Sequence, residues 1–314
     1  MTVTPKAVIA GAGVMGASLA QVYAAASYDV VLYDIGDKFL NRGRELITIN
    51  QSTLVKEGIL SQSDSDALIS RISFTCDKAC FSDPHLDIVL ETIVEKLDVK
   101  QTFWAEVSAM APKGALLASN TSGLHICDIA ERMTVENKAR FIGQHWLNPP
   151  HLLPLCELII GNDTAPDTVE RMKSLVLGLG KKPVCVKDIN GFIINRLQFA
   201  ILREAMYIVD SGAASMEDID AVMKYGMGLR LAALGPFRIA DFGGLDTFDH
   251  IAGYLFADLD DSKEGNPHLH QLVQEGKLGV KSGHGFYDYS GGKDVEAIRE
   301  RDELFIKLSK CLYQ

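Results

Sequence analysis

A glycine-rich hexapeptide near the start of the chain restricts its fold more than any other feature. Gly11-Ala12-Gly13-Val14-Met15-Gly16 follows an apolar run, Lys6–Ala10, and opens a stretch of helical character, Val14–Ala26. A second strand-like run, Asp29–Asp34, comes next. Strand, turn, helix and strand in that order make a βαβ unit, hence a largely parallel sheet with covered faces. Each glycine has its own task. Gly11 permits the tight turn, Gly13 lets backbone approach a pyrophosphate, and Gly16 lets the helix pack on the sheet. The pyrophosphate would sit on the helix N-terminus, at Val14 and Met15, where free N–H groups and the dipole favour negative charge. Asp34 stands 23 residues after Gly11. A carboxylate there accepts from ribose hydroxyls and repels a 2′-phosphate, so the cofactor is expected to be NAD rather than NADP.

The same stretch has a competing reading. Ala7–Tyr28 carries no charge and follows Lys6, which is the outline of a signal peptide or a membrane span. The three glycines, Ser18 and Gln21 weaken that reading, and strand–turn–helix accounts for the same residues. No membrane association is expected, and the compartment is expected to be the cytoplasm. Six cysteines with no Cys-x-x-Cys spacing fit free thiols in a reducing compartment and give no metal site. Lys+Arg number 31 against 41 Asp+Glu, a net charge of −10. That balance argues against nucleic acid as a partner, which requires a basic face.

At 314 residues the chain is long enough for about two domains. Residues 37–71 read as two helices broken near Glu57-Gly58 and Ser61–Asp66. Short β-branched runs follow at Ile72–Thr75, Asp87–Leu90, Ala115–Ala118 and Arg140–Gly143, separated by helical stretches such as Leu97–Met110. After Asp188 the pattern changes. Gly191–Ser211 is a long helical pattern, Ser215-x-x-Asp218 is a variant of the N-cap signature, and Gly285–Tyr289 is the one later strand-like segment. The expectation is an α/β fold in two parts. Residues 1–187 would form a Rossmann-type NAD-binding domain with a helical hairpin at 37–71, and 188–314 an all-helical domain for substrate and dimerisation.

His145 lies just past an apparent strand end, Phe141–Gln144, where ligands bind in open α/β sheets. Oxidising an alcohol to a ketone removes a hydride and a proton. NAD takes the hydride, and an imidazole suits the proton at neutral pH. Glu157 lies twelve residues further on. A carboxylate on the other ring nitrogen would fix the tautomer and stabilise the imidazolium. The sequence leaves open whether the two touch.

Four separated stretches resemble the NAD-dependent L-3-hydroxyacyl-CoA dehydrogenase family. They are the hexapeptide Gly11–Gly16, Ala118-Ser119-Asn120-Thr121-Ser122, His145-Trp146-Leu147-Asn148-Pro149 with Glu157, and Gly191-Phe192-Ile193-Ile194-Asn195-Arg196. A fifth, Gly283-His284-Gly285-Phe286-Tyr287, is similar to the family's C-terminal motif. The resemblance implies His145 as general base with Glu157 as its partner, and Ser122, Asn148 and Asn195 around substrate and nicotinamide. It implies cofactor contacts from Asn120, Glu95 and Lys100 as well, and a homodimer that pairs through the helical half. A hydroxyl and two amides hold a substrate oxygen without competing as bases.

The resemblance thins at one place. The family usually has Lys where this chain has Pro154. The run Asn148-Pro149-Pro150-His151 is closer to relatives acting on free acids, of the gulonate and carnitine type. Arg230 lies in an apparent lengthened turn, Gly228–Pro236, where a guanidinium would grip a substrate carboxylate in bidentate fashion. Three functions therefore stand. A 3-hydroxybutyryl-CoA-like 3-hydroxyacyl substrate, as in fatty acid metabolism, leads. A small free 3-hydroxy acid is second. A non-catalytic NAD-binding structural protein is third.

Overall fold

The computed structural model describes residues 4–313, and the chain divides into two compact units between Ile193 and Ile194. The first unit is built on eight strands: β1 Lys6–Ala10, β2 Asp29–Tyr33, β3 Ile72–Thr75, β4 Leu86–Glu91, β5 Leu116–Ser119, β6 Phe141–Trp146, β7 Leu155–Ile160 and β8 Lys182–Lys187. They lie in the order β3-β2-β1-β4-β5-β6-β7-β8. Only the β6–β7 pairing is antiparallel. The helices are α1 Val14–Ala25, α2 Asp37–Lys56, α3 Gln62–Ser70, α4 Leu97–Met110, short α5 Ile126–Ile129 and α6 Val135–Ala139, and α7 Pro166–Gly178.

The strands read as unbroken apolar runs because both faces of the sheet are covered. Alternate residues of β1 enter different cores. Ala7 and Ile9 pack with Leu19, Leu32 and Leu90 on one face. Val8 and Ala10 pack with Phe81, Trp104 and Phe141 on the other. Each such fully buried large side chain contributes roughly 1.5–3 kcal/mol. Ser61 caps α3 through the Asp64 N–H, and α2 docks on α1 through a buried chain of Ser65, Gln51 and Gln21.

Three details depart from expectation. β6 runs to Trp146 rather than ending at Gln144, because β7 pairs with it in register from Gly143 to Trp146. β7 itself has Glu157 in the middle of an apolar run, and β8 is an edge strand carrying Pro183, so neither gives a clean strand pattern. In the second unit, Gly285–Tyr289 forms no strand: Asp288 makes an isolated bridge to His284, which also bridges to Gly279.

The second unit is otherwise helical: α8 Ile194–Asp210, α9 Met216–Val222, α10 Gly228–Leu234, α11 Pro236–Gly243, α12 Leu245–Leu255, α13 Pro267–Gln274 and α14 Lys293–Tyr313. Ser215 caps α9 by accepting from the Asp218 N–H. A single π-helical turn, Met223–Met227, runs directly into α10. Arg230 is therefore on a helix and not in a turn. The segment from Gly228 to Leu234 is rich in good helix formers, and the chain turns only at Gly235, with φ of 76°, followed by Pro236.

Candidate active site

The hexapeptide closes against the end of β4. Gly11 has φ of 107°, and a Cβ there would stand 2.7 Å from the Thr92 carbonyl oxygen. A Cβ on Gly16 would stand 1.7 Å from the Gly11 carbonyl oxygen, which forces glycine where α1 crosses the turn. A Cβ on Gly13 would meet nothing within 4 Å, so the backbone there faces open space. No side chain caps α1 and no acid lies in its first turn, which leaves the N–H groups at Val14 and Met15 for an anion. Asp34 is held at the tip of β2. Its Oδ2 accepts from the Ala12 N–H and its Oδ1 from the Ile35 N–H, both at 2.7 Å. A cleft of about 560 Å³ runs over Gly11, Gly13, Asp34, Ile35, Phe39 and Val94. Open backbone for a pyrophosphate, a fixed carboxylate for a ribose and apolar walls for an adenine fit NAD.

Glu157 faces His145 directly across the antiparallel β6–β7 pair. That register places Nδ1 of the imidazole 2.8 Å from Glu157 Oε2, with both side chains almost wholly buried. A carboxylate only accepts, so Nδ1 carries the proton and Nε2 is left as the acceptor. The other carboxylate oxygen, Oε1, accepts from the Ile193 N–H at 3.0 Å. That bond depends on a local reversal: Gly191 has φ of 74° and Phe192 φ of 51°. A left-handed Phe costs on the order of 1–3 kcal/mol, the kind of strain that clusters at functional sites. The buried Phe192 ring lies 5.3 Å from the imidazole between centroids. Sequence reasoning gave Phe192 no role. Its membership in the Gly191–Arg196 motif was the signal for one.

A second constellation sits at the ends of β4 and β5. The Glu95 carboxylate accepts from the Thr121 hydroxyl at 2.5 Å and the Ser122 N–H at 2.9 Å, so it clamps the loop that presents the exposed Ser122. Burial pushes the Glu95 carboxyl up, but the Thr121 bond, the Lys100 charge and the Ser122 N–H outweigh it and hold it below the usual range. Lys100 is fully buried. Its Nζ lies 2.5 Å from Glu91 and 3.2 Å from Glu95. It lies beneath the surface rather than on it. Glu91, absent from the sequence reading, also accepts from Ser119 and Trp104. The Asn120 side-chain oxygen holds the Trp146 N–H at 3.0 Å and ties β5 to the strand of His145.

Asn148 is exposed, two residues past β6, and its bond to Pro149 is cis. In the second unit Asn195 is half-buried at the start of α8, and Arg230 is exposed on α10. Among the described residues, no group of three His, Cys, Asp or Glu side chains is placed to hold a metal ion.

Comparison with known proteins gives the chain's family. Residues 6–189 match the family model described as 3-hydroxyacyl-CoA dehydrogenase, NAD binding domain. Residues 191–289 match the corresponding C-terminal domain. A 5-formyl-3-hydroxy-2-methylpyridine 4-carboxylate 5-dehydrogenase of Mesorhizobium japonicum is 31% identical over 97% of this chain and 97% of its own. A 3-hydroxybutyryl-CoA dehydrogenase of Bradyrhizobium diazoefficiens is 37% identical over 93% of this chain and 98% of its own. The solved structure of a 5-formyl-3-hydroxy-2-methylpyridine 4-carboxylic acid 5-dehydrogenase, described as an NAD+-dependent dismutase, superposes with a TM-score of 0.89 at 30% identity, covering 99% of both chains. The chain belongs to the 3-hydroxyacyl-CoA dehydrogenase family of NAD-dependent oxidoreductases.

Proposed function

We propose that the chain catalyses reversible oxidation of the 3-hydroxyl of an L-3-hydroxyacyl-CoA of the 3-hydroxybutyryl type. The observation that carries the reading is the buried 2.8 Å bond between His145 Nδ1 and Glu157. It leaves Nε2 as a base for one alcohol proton. NAD, when bound, accepts the hydride. His145 takes the hydroxyl proton at Nε2, and Glu157 stabilises the imidazolium that results. Ser122 and Asn148 hold the substrate oxygen, and Glu95 keeps Ser122 in place. Gly11, Gly13, Val14, Met15 and Gly16 receive the pyrophosphate and Asp34 the ribose. Asn120 lies between the Ser122 loop and the His145 strand and steadies both. In the reverse direction His145 returns its proton to the substrate oxygen.

A second reading is favoured by one observation. The Mesorhizobium relative matches over 97% of both chains and is named for a free pyridine carboxylate. Under that reading the substrate is a small free hydroxy acid, and Arg230 grips its carboxylate. NADH absorbance with acetoacetyl-CoA against free acetoacetate, gulonate and carnitine separates the two. Turnover confined to the CoA ester is the expected result, and turnover confined to free acids transfers the assignment to the second reading. NAD binding without turnover of any member supports a non-catalytic role.

We also infer an isologous homodimer in the cytoplasm. The large apolar side chains left exposed on the helical unit, among them Tyr225, Phe237 and Phe242, support the dimer. Among the described residues, no helix is long and apolar enough to cross a membrane. A single species near 34.3 kDa in sedimentation would rule the dimer out.

A further inference from the structure

A lysine outside the dyad holds the segment that joins the dyad's two strands. α7 ends in a left-handed cap: Gly180 has φ of 72°, its N–H donates to the Leu177 carbonyl, and the Lys181 N–H donates to the Val176 carbonyl. These two bonds make a Schellman motif with Lys181 as the second residue beyond the cap. The next N–H, of Lys182, donates to the Pro154 carbonyl at 2.8 Å. The backbone of Lys181 is thus fixed on both sides, between α7 and the segment that leads into β7.

The Lys181 Nζ lies 2.8 Å from the Pro150 carbonyl oxygen, 2.9 Å from that of Leu153 and 3.5 Å from that of His151. All three belong to the loop between β6 and β7. Within the loop, the N–H groups of Leu152 and Leu153 both donate to the Pro149 carbonyl. The remaining carbonyls therefore gather on one side, and an ammonium with three donors matches them. Among the described residues no carboxylate pairs with Lys181, so the cation serves backbone dipoles alone. The titratable groups about it are the buried Cys156 thiol on β7, with Cys185 of β8 near that thiol, and His151 in the loop itself. Burial brings the Lys181 ammonium down to about 8, against a small opposing pull from Cys156.

We propose that Lys181 is a positioning residue for the reaction: its ammonium clamps the Pro149–Leu153 turn, and so fixes Asn148 and the spacing of the His145 and Glu157 strands. The proposal rests on the assignment of His145 as base and Asn148 as substrate contact. Loss of the proton leaves two N–H donors for three carbonyls and removes the charge, so the clamp loosens. An active enzyme is expected to lose kcat/KM as pH rises through about 8.

Two measurements test this. The first is the pH profile of kcat/KM for wild type, Lys181→Arg and Lys181→Met. Arg keeps its charge throughout, so its alkaline limb is expected at least about one pH unit higher. Met is expected to lose roughly tenfold to a hundredfold in kcat at pH 7 and to show no limb near 8. The second is Trp146 fluorescence in a Trp104→Phe background, which reports on the strand beside the loop without needing turnover. A transition near pH 8 that is absent in Lys181→Met is expected. An unchanged limb in Lys181→Arg, or a transition that persists in Lys181→Met, overturns the role of Lys181. Full activity in His145→Ala overturns the base assignment instead, and leaves the fluorescence transition in place.

Discussion

The two units hold their apolar residues in opposite ways. In the first, both faces of the sheet are packed, and the His145, Glu157 and Glu95 side chains are held by buried or part-buried hydrogen bonds. In the second, Met206, Ile239, Leu272 and Ile306 are the buried large apolar residues among those described. Tyr225, Phe237, Phe242 and Phe256 are largely exposed, Phe237 at 87%. The first unit thus specifies its chemistry within its own core. The second leaves large apolar side chains exposed on its surface. Substitutions in the first unit should therefore produce large and separable effects, and those in the second small ones.

The sharpest such effect is expected at the dyad. His145→Ala should lower kcat by roughly 10²–10⁴, the share usual for a positioned general base, with NAD affinity little changed. Glu157→Gln should act in the same direction, since the amide neither stabilises an imidazolium nor fixes the tautomer as well. Steady-state kinetics with equilibrium NAD binding checks both, and a His145→Ala enzyme of near-normal kcat breaks the contrast between the units. Next comes the buried Lys100. Lys100→Met takes the counter-ion from Glu91 in a fully buried site, so unfolding stability should fall by roughly 3–5 kcal/mol. Denaturant titration measures this. A loss below about 1 kcal/mol would mean that the Ile93, Ser119 and Trp104 donors suffice to hold Glu91.

What could be read in advance divides along the same line. The glycine turn and Asp34 were legible because their geometry is local: φ at Gly11 and the close approach at Gly16 act within a few residues. From the residues alone the dyad was legible only as two residues of suitable type, and the family resemblance implied their pairing. Their contact comes from β6–β7 register, and β7 was hidden because Glu157 itself interrupts the apolar run. Glu91 escaped notice because a buried carboxylate in a strand is visible only through its partners, Lys100, Ser119 and Trp104, which lie on other elements. Phe192 stood in the Gly191–Arg196 motif, but its left-handed backbone was hidden, since nothing local marks a left-handed phenylalanine. In the second unit the helices were legible from their periodicity and the Ser215 cap. The π-helical turn that carries the chain into α10 was not, and it turned an expected turn at Arg230 into helix.

The cofactor preference is the next test in size. Asp34 spends one oxygen on the Ala12 N–H and the other on the Ile35 N–H, and lone pairs remain on both for ribose hydroxyls. Its removal takes away both the acceptors and the repulsion of a 2′-phosphate. NAD should be preferred over NADP by at least about tenfold, roughly 1.4 kcal/mol, and Asp34→Ala should erase most of that ratio. An unchanged ratio means that the selectivity comes from the apolar walls of the cleft.

Arg230 carries the smallest expected effect and sharpens the comparison most. It is exposed on α10 and has no hydrogen bond or ion pair among the described residues. Under the CoA-ester reading it is a solvated arginine on a helix, and Arg230→Lys should change stability by a few tenths of a kcal/mol and leave KM alone. Under the free-acid reading the planar guanidinium makes two parallel bonds to a carboxylate. Lysine cannot reproduce that geometry, so KM for the acid should rise markedly at similar stability. KM measured on every accepted substrate, beside a melting curve, separates the outcomes. An unchanged KM ends the carboxylate grip. A raised KM shows that a residue on an open helix face can select substrate as firmly as the dyad drives the chemistry.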